Sequence, residues 1–191
     1  MRVIAGTLRR RTLEAPAGLK TRPTSDRLRE TLFNVLAPRM EGARFLDLYA
    51  GSGAVGIEAA SRGAANVVLV ERADPALKVL RGNLEKLGLR GEVRVEAVSV
   101  GAFLRRVRPQ SSAMRFDVVF LDPPYEAAEE YATAMGLLGG AAADLLAEGA
   151  VVIAEHRRRE KLEDGYGMLR RVRTLEQGDA GLSFYEVATS L

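Results

Sequence analysis

Apolar and polar positions along this chain alternate between two local patterns, one typical of strands and one of helices. Short apolar runs with the residue types of strands occupy 44–49, 66–71, 92–98, 116–121 and 150–155. Helical spacing fills the intervals at 53–62, 74–87, 100–107 and 127–146, and two last strands are predicted near 168–174 and 183–188. The alternation predicts an α/β fold with a mainly parallel, doubly wound, Rossmann-like sheet of seven strands and an antiparallel final hairpin.

The first 42 residues follow a different pattern. Residues 2–5 and 10–14 predict a small hairpin around Gly6. A helix should begin near Ser25 and run to about Leu36, and Pro38 should end it because proline lacks the N–H that a helix needs. We therefore expect a basic N-terminal extension of hairpin plus helix at 1–42, followed by the sheet domain at 43–191.

The most informative motif is Asp122-Pro123-Pro124-Tyr125, directly after the predicted strand 116–121. Two prolines end the strand and make the following loop stiff. The motif therefore places a carboxylate and an aromatic ring at the carboxyl end of a strand, where open α/β sheets bind ligands. An acceptor oxygen beside a flat apolar ring suits a planar base with an amino group. The alternative is a rigid strand exit with a solvated aspartate.

A glycine-rich turn lies upstream, after the strand 44–49. Gly51, Gly53 and Gly56 match G-x-G-x-x-G, and Glu71 follows the first glycine by 20 residues. This pattern alone fits a dinucleotide site. Asp47, however, would repel a pyrophosphate and favour the cationic methionyl group of S-adenosylmethionine. We therefore interpret the turn as an S-adenosylmethionine loop rather than a nicotinamide site, with Glu71 on the ribose; the alternative for Glu71 is a solvated carboxylate.

Composition excludes several classes of protein. The chain has no cysteine and one histidine, so it has no disulfides and a metal site is not expected. His156 is predicted as a surface residue at a strand end. No apolar stretch approaches the roughly 20 residues of a membrane span, and the first residues lack a signal-peptide core, so we expect a cytoplasmic protein with no membrane partner.

Positive charge is concentrated near the N-terminus. Residues 1–29 contain eight basic residues against two acids, in a chain of net charge +3. Clustered basic charge suggests a nucleic acid partner. The candidates for phosphate contacts are Arg9, Arg10, Arg11 and Lys20. Two other basic groups, at 157–161 and 105–108, are interpreted as solvated surface, although each adds to the same charge pattern.

These motifs resemble the RsmD family. Asp122-Pro123-Pro124-Tyr125 matches the [D/N]-P-P-[Y/F/W] motif of methyltransferases that act on amino nitrogens, and the similarity spans nearly the whole chain. The other segments that carry it are 2–6, 18–27, 29–34, 45–53, 56–59, 61–64 and 178–185. The resemblance implies a methyltransferase that uses S-adenosylmethionine, releases S-adenosylhomocysteine and modifies the exocyclic N2 of one specific guanine in 16S ribosomal RNA.

The resemblance also implies roles for individual residues. Asp122, Pro123, Pro124 and Tyr125 would hold the target base. Arg22, Pro23 and Thr24 would close over the methionine end of the cofactor. Ser99 would replace the aspartate with which the family usually binds the adenine amino group. The full set of implied cofactor contacts is Arg22, Thr24, Asp47, Tyr49, Ala50, Gly51, Ser52, Gly53, Glu71, Arg72, Ser99 and Asp122.

The expected partner is 16S ribosomal RNA, either free or within the small ribosomal subunit or an assembly intermediate, and the protein is expected to be a monomer. Two alternatives stay open. One is an amino-group methyltransferase that acts on another nucleic acid or on a protein. The other is a catalytically silent RNA-binding or assembly factor. A base paired within a helix could not enter such a site, so the target must be unpaired or flipped out.

Overall fold

A computed structural model describes residues 1–15, 25–107, 115–124 and 128–188. Its helices are α1 (Asp26–Met40), α2 (Ala54–Ser61), α3 (Asp74–Leu87), α4 (Val100–Arg106) and α5 (Ala128–Leu138). Its strands are β1 (Arg44–Leu48), β2 (Asn66–Val70), β3 (Val93–Glu96), β4 (Phe116–Leu121), β5 (Leu146–Arg157), β6 (Gly165–Tyr166), β7 (Leu169–Gln177) and β8 (Ala180–Val187). A short 3₁₀ turn, Ala143–Leu145, precedes β5. No helix within these ranges is long and apolar enough to cross a membrane.

All eight strands form one sheet in the order β3-β2-β1-β4-β5-β8-β7-β6. Strands β1 to β5 pair parallel with one another, whereas β8 pairs antiparallel with β5 and β7, and β6 pairs antiparallel with β7. The predicted doubly wound α/β fold with an antiparallel edge is therefore confirmed. The eighth strand, β6, was not predicted because two residues are too few to show a period.

Helices cover both faces of the sheet. Side chains from α1, α2 and α3 pack on one face, together with Val3 and Leu13 of the N-terminal segment. Side chains from α4 and α5 pack on the other. This three-layer arrangement buries the parallel strands on both faces, which is why β1, β2 and β4 are apolar almost throughout.

The N-terminal hairpin forms and is attached to α2. Arg2 and Thr12 form an antiparallel bridge, and the Val3 N–H donates to the Arg11 carbonyl at 2.9 Å. At its turn, the Thr7 N–H donates to the carbonyl of Ser61, the last residue of α2, at 2.8 Å. Gly6 has φ +80°, and a Cβ there would lie 1.8 Å from the Ser61 carbonyl oxygen. The approach of the two backbones therefore requires glycine.

Two local predictions are wrong. Pro38 lies inside α1 and does not end it, because the helix continues to Met40, which is buried in the core. His156 is buried rather than exposed, since β8 covers this part of β5. Its Nδ1 donates to the Arg157 carbonyl and its Nε2 bonds to the Ser183 hydroxyl, each at 2.9 Å. In both cases tertiary packing overrides the local expectation.

Candidate functional site

The candidate site lies at the carboxyl ends of β1 and β4. Leu48 and Leu121 are register partners in these neighbouring parallel strands. The residues that follow them, Tyr49 and Asp122, therefore leave the sheet side by side. The chain passes from β1 to β2 on one side of this point and reaches β4 and β5 on the other. This is the topological switch point at which doubly wound sheets bind ligands.

The glycine-rich loop after β1 has the backbone geometry that its sequence predicts. Gly51 and Gly53 have φ of +56° and +81°, and Gly53 caps the start of α2. A Cβ on Gly56 would lie 2.1 Å from Leu69 Cδ2, so this glycine lets α2 approach β2. A Cβ on Gly51 would instead meet open space. The loop is thus packed tightly against the protein at Gly56 and accessible to a ligand at Gly51.

Tyr49 connects this loop to the other side of the sheet. It adopts φ +68°, which is uncommon for a residue with a side chain. Its hydroxyl donates to Glu130 Oε2 on α5 at 2.7 Å. Burial raises the pKa of this hydroxyl, and the Glu130 carboxylate raises it further, so Tyr49 stays protonated and keeps donating. The contact holds the loop between the two helical layers.

Glu71 organises the loop from the end of β2. Its Oε2 accepts the Gly51 N–H at 2.8 Å, and its Oε1 accepts the N–H groups of Arg72 and Ala73 at 2.7 and 2.8 Å. The Arg72 side chain itself is exposed. Glu71 is therefore more than a solvated strand-end carboxylate, because it joins the glycine loop to the start of α3. Its contact with a ribose stays a prediction.

Asp47 lies beneath the loop. It is buried on β1, and its Oδ2 accepts the Gly56 N–H at 3.0 Å. Burial raises the pKa of Asp47 to about 8; the Gly56 N–H opposes the shift, and the carboxylates of Glu71 and Glu155 add to it. The approach of a cation would lower this pKa and favour the ionised carboxylate.

Glu155 is a site residue that the motifs did not reveal. It follows Ala154 on β5, and Ala154 is the register partner of Leu121 on β4. Glu155 and Asp122 are therefore neighbours at the end of two adjacent strands, and Glu155 is only 2% exposed. Asp122 is half-buried, yet burial is the largest cause that raises its pKa well above the usual range, ahead of the carboxylates of Glu155 and Asp47. The sequence signal that could have revealed Glu155 is an acidic residue at the end of the apolar run 150–154.

Four carboxyl groups thus lie near the carboxyl ends of the parallel strands: Asp47, Glu71, Asp122 and Glu155. A cationic ligand would favour the ionised form of these carboxyls, whereas a pyrophosphate would be disfavoured next to them. The open backbone at Gly51, the buried acid at Asp47 and the oriented acid at Glu71 together fit S-adenosylmethionine, which has a sulfonium, an amino group and a ribose. Among the described ranges, no group of three metal-ligating side chains could hold a metal ion.

Asn83 is a second residue that sequence reasoning missed. This buried amide on α3 donates to the Ser52 carbonyl of the glycine loop and to the Glu14 carbonyl, each at 3.0 Å. Its Oδ1 accepts the Glu14 N–H at 2.9 Å. Asn83 therefore links the end of the N-terminal hairpin to the glycine loop. Nothing in the helical spacing of α3 marks it as different from an ordinary core-facing position.

The remaining predicted residues lie in several places. Ser99 caps α4, where its Oγ accepts the Ala102 N–H at 3.3 Å, so its contact with adenine stays a prediction. Pro123 is buried and Pro124 is exposed. Arg9, Arg10 and Arg11 are exposed on the hairpin. Five predicted residues lie outside the described ranges: Lys20, Arg22, Pro23, Thr24 and Tyr125.

Known proteins resemble most of this chain. A family model described as "Conserved hypothetical protein 95" matches residues 1–186. YlbH of Bacillus subtilis (strain 168) is 36% identical over 186 residues, which are 97% of this chain and 98% of that protein. Ribosomal RNA small subunit methyltransferase D of Escherichia coli (strain K12) is 42% identical over 125 residues, which are 65% of this chain and 60% of that protein.

A solved structure gives the same result. The YhhF protein from Escherichia coli superposes with a TM-score of 0.84 at 32% identity, and the match covers 98% of this chain and 97% of that one. The family match, the relatives and the shared site motifs agree. The chain therefore belongs to the Conserved hypothetical protein 95 family, which is the RsmD family that its motifs resemble.

Proposed function

We propose that this protein transfers a methyl group from S-adenosylmethionine to the exocyclic N2 of one guanine in 16S ribosomal RNA. The observation that supports this proposal is that Asp122-Pro123-Pro124 lies next to the glycine loop, because the two segments directly follow the neighbouring strands β4 and β1. A site that holds an amine and a sulfonium next to each other needs this adjacency. The relative named ribosomal RNA small subunit methyltransferase D supports ribosomal RNA as the substrate.

The chain's residues supply orientation. Guanine N2 is a weak nucleophile because its lone pair is delocalised into the ring. If Asp122 and the Pro123 carbonyl each accept one N–H, the lone pair turns out of the base plane and can point at the methyl group. Tyr125 would stack on the base and fix its plane. Bringing two reactants into line in this way supplies a large part of an enzymatic rate enhancement.

The proton balance involves Asp122 and its neighbour. As N2 forms its bond to carbon, the sulfur–methyl bond breaks with its electron pair, and one N2 proton must leave. Asp122 would accept that proton, and its raised pKa would make it a better proton acceptor than an ordinary aspartate once it is ionised. Glu155, buried beside it, would stabilise the protonated form, because the negative charge of one carboxylate favours a proton on its neighbour.

The cofactor supplies the electrophilic methyl group, and the chain's residues would hold it at three points. Asp47 would balance the positive charge near the methionyl end, Glu71 would accept from the ribose hydroxyls, and Gly51 would allow close approach of the backbone. Ser99 would accept from the adenine amino group, and Arg22 with Thr24 would cover the methionine end. Tyr49, Ala50, Ser52, Gly53 and Arg72 complete the proposed contacts.

The RNA would reach the site with its target base out of the helix. Arg9, Arg10, Arg11 and Lys20 are proposed to contact its phosphates, as the exposure of the first three permits. The protein is proposed to act as a cytoplasmic monomer on 16S ribosomal RNA, free or in the small ribosomal subunit.

The proposal is tested with purified protein, labelled S-adenosylmethionine and small-subunit RNA from cells that lack the gene. Nucleoside analysis of the product should show N2-methylguanosine as the labelled species. Label on another nucleoside or on protein would contradict the guanine-N2 assignment. Absence of transfer despite tight cofactor binding would favour a silent RNA-binding factor.

A further inference from the structure

A basic segment directly follows the site on β5. Four cations, Arg157, Arg158, Arg159 and Lys161, stand in five residues with one acid, Glu160. All four cationic side chains are exposed. Arg158, Arg159 and Lys161 form no ion pair with any residue that the structure describes. Their charge is therefore available to a partner from solution. We call residues 157–161 the β5 exit.

The β5 exit lies at the same edge of the sheet as Asp122. Strands β4 and β5 are parallel, with Leu121 opposite Ala154, so Arg157 is three residues beyond that pair. At a rise of about 3.3 Å per residue, the exit begins roughly 10 Å past the level of Leu121, one strand spacing to the side. An RNA whose base sits against Asp122 would place neighbouring phosphates within reach of long arginine side chains.

The backbone of the β5 exit is held in place. The Arg158 N–H donates to the Asp179 carbonyl in the β7–β8 turn at 2.8 Å, and the Glu160 N–H donates to the Arg157 carbonyl at 2.9 Å. Arg157 itself pairs with Ala180 on β8. The segment thus presents its cations from a fixed turn, and ordering it on binding costs little backbone entropy.

The N-terminal arginines occupy a different position. The hairpin turn is bonded to Ser61, where α2 ends before β2 begins, so Arg9 and Arg10 lie toward the amino ends of the parallel strands. The eight residues of α2 separate that turn from the glycine loop by about 12 Å of helix. Of these two basic groups, the β5 exit is therefore the one that lies at the end of the sheet where Asp122 lies.

The geometry points to the β5 exit, through Arg158, Arg159 and Lys161, as the surface that binds the RNA phosphates next to the target nucleotide. This inference rests on the proposed function, because it requires the target base to lie against Asp122. The ligand class is the backbone of an unpaired RNA segment. Such contacts confer affinity that falls with salt and carry no base preference of their own.

The test compares two charge-matched double variants. Arg158→Gln with Arg159→Gln neutralises the β5 exit. Arg90→Gln with Arg115→Gln, the amino-end variant, removes the same charge at the amino ends of the parallel strands, just before β3 and β4. Both arginines are exposed and form no ion pair in the described part of the chain. Binding of each to protein-free small-subunit RNA is measured from low to moderate salt. Cofactor affinity is measured by calorimetry.

We expect the β5-exit variant to bind RNA roughly tenfold more weakly at physiological salt, with a log–log salt slope smaller by about 0.7–0.9 per lost contact. The amino-end variant should bind RNA like the wild type, and cofactor affinity should be unchanged in both variants. Arg158→Lys with Arg159→Lys should restore most of the salt slope. Equal losses in the two Gln variants, or none in the β5-exit variant, would overturn the inference.

Methyl transfer by the wild type is measured separately on the same RNA. If the wild type binds RNA but transfers no methyl group, the proposed function fails, while the binding comparison still tests the β5 exit. If transfer is normal and the β5-exit variant binds like the wild type, the proposed function stands and the inference is wrong.

Discussion

Glu71→Ala should weaken cofactor and product to the same extent. The carboxylate of Glu71 accepts three backbone N–H groups, from Gly51, Arg72 and Ala73, at 2.7–2.8 Å. It is therefore already oriented toward the loop when the ribose arrives. S-adenosylmethionine and S-adenosylhomocysteine share that ribose, so the substitution removes the same hydrogen bonds from both complexes.

The expected loss of affinity follows from the number of hydrogen bonds between Glu71 and the ribose. A pair of hydrogen bonds to a charged acceptor corresponds to a loss of about 2–3 kcal/mol, or roughly thirty- to 150-fold in dissociation constant. The free protein should also be less stable, because the Gly51, Arg72 and Ala73 N–H groups lose their acceptor. Glu71→Gln, which keeps the size and one acceptor oxygen, should have a smaller effect of the same kind.

Calorimetry with both ligands measures this effect, and thermal unfolding shows that the variant is folded at the temperature used. Glu96→Gln is the matched control, since Glu96 ends the neighbouring strand β3 but pairs with Arg94 and Arg106. Its ligand affinities should stay near those of the wild type. If folded Glu71→Ala binds both ligands within about threefold of the wild type, Glu71 does not hold the ribose.

Three other predictions concern the remaining charges. Asp122→Ala should lower methyl transfer at least about a hundredfold while leaving calorimetric cofactor affinity nearly intact; normal turnover would exclude Asp122 from the reaction. The raised pKa of Asp47, about 8, means that the folded state keeps a proton that the unfolded state releases above about pH 4. The free energy of unfolding should therefore fall as pH rises from about 4 to 8, and Asp47→Asn should flatten this slope in denaturant titrations; an unchanged slope would assign it to other groups. Neutralising Arg9, Arg10 and Arg11 should reduce the salt dependence of RNA binding without changing cofactor affinity, and equal salt slopes would show that they only solubilise the hairpin.

The fold could be predicted from sequence because its parallel strands are local apolar runs bounded by clear turns. Strand β4, for example, is apolar almost throughout and is followed by Asp122 and two prolines. The errors lie where distant contacts decide. Pro38 stays helical because Met40, two residues later, is buried in the core. His156 is buried because β8 pairs alongside this part of β5. Neither contact is visible from the neighbouring residues.

The site could be predicted in part for the same reason. Gly51, Asp47 and Glu71 lie within one β-α-β unit, so their spacing alone brings them together. Glu155 and Asn83 could not be predicted, because each reaches the site through a strand or helix formed much farther along the chain. An acid at the end of an apolar run and an asparagine in a helix have many ordinary explanations when no three-dimensional neighbour is known.

The most direct test of the account is to map methylated nucleotides in small-subunit RNA from a strain that lacks the gene. The account predicts that one guanine loses its N2 methyl group, that the wild-type gene restores it, and that a gene encoding Asp122→Ala does not. Unchanged guanine methylation in the deletion strain, or full restoration by Asp122→Ala, would contradict it.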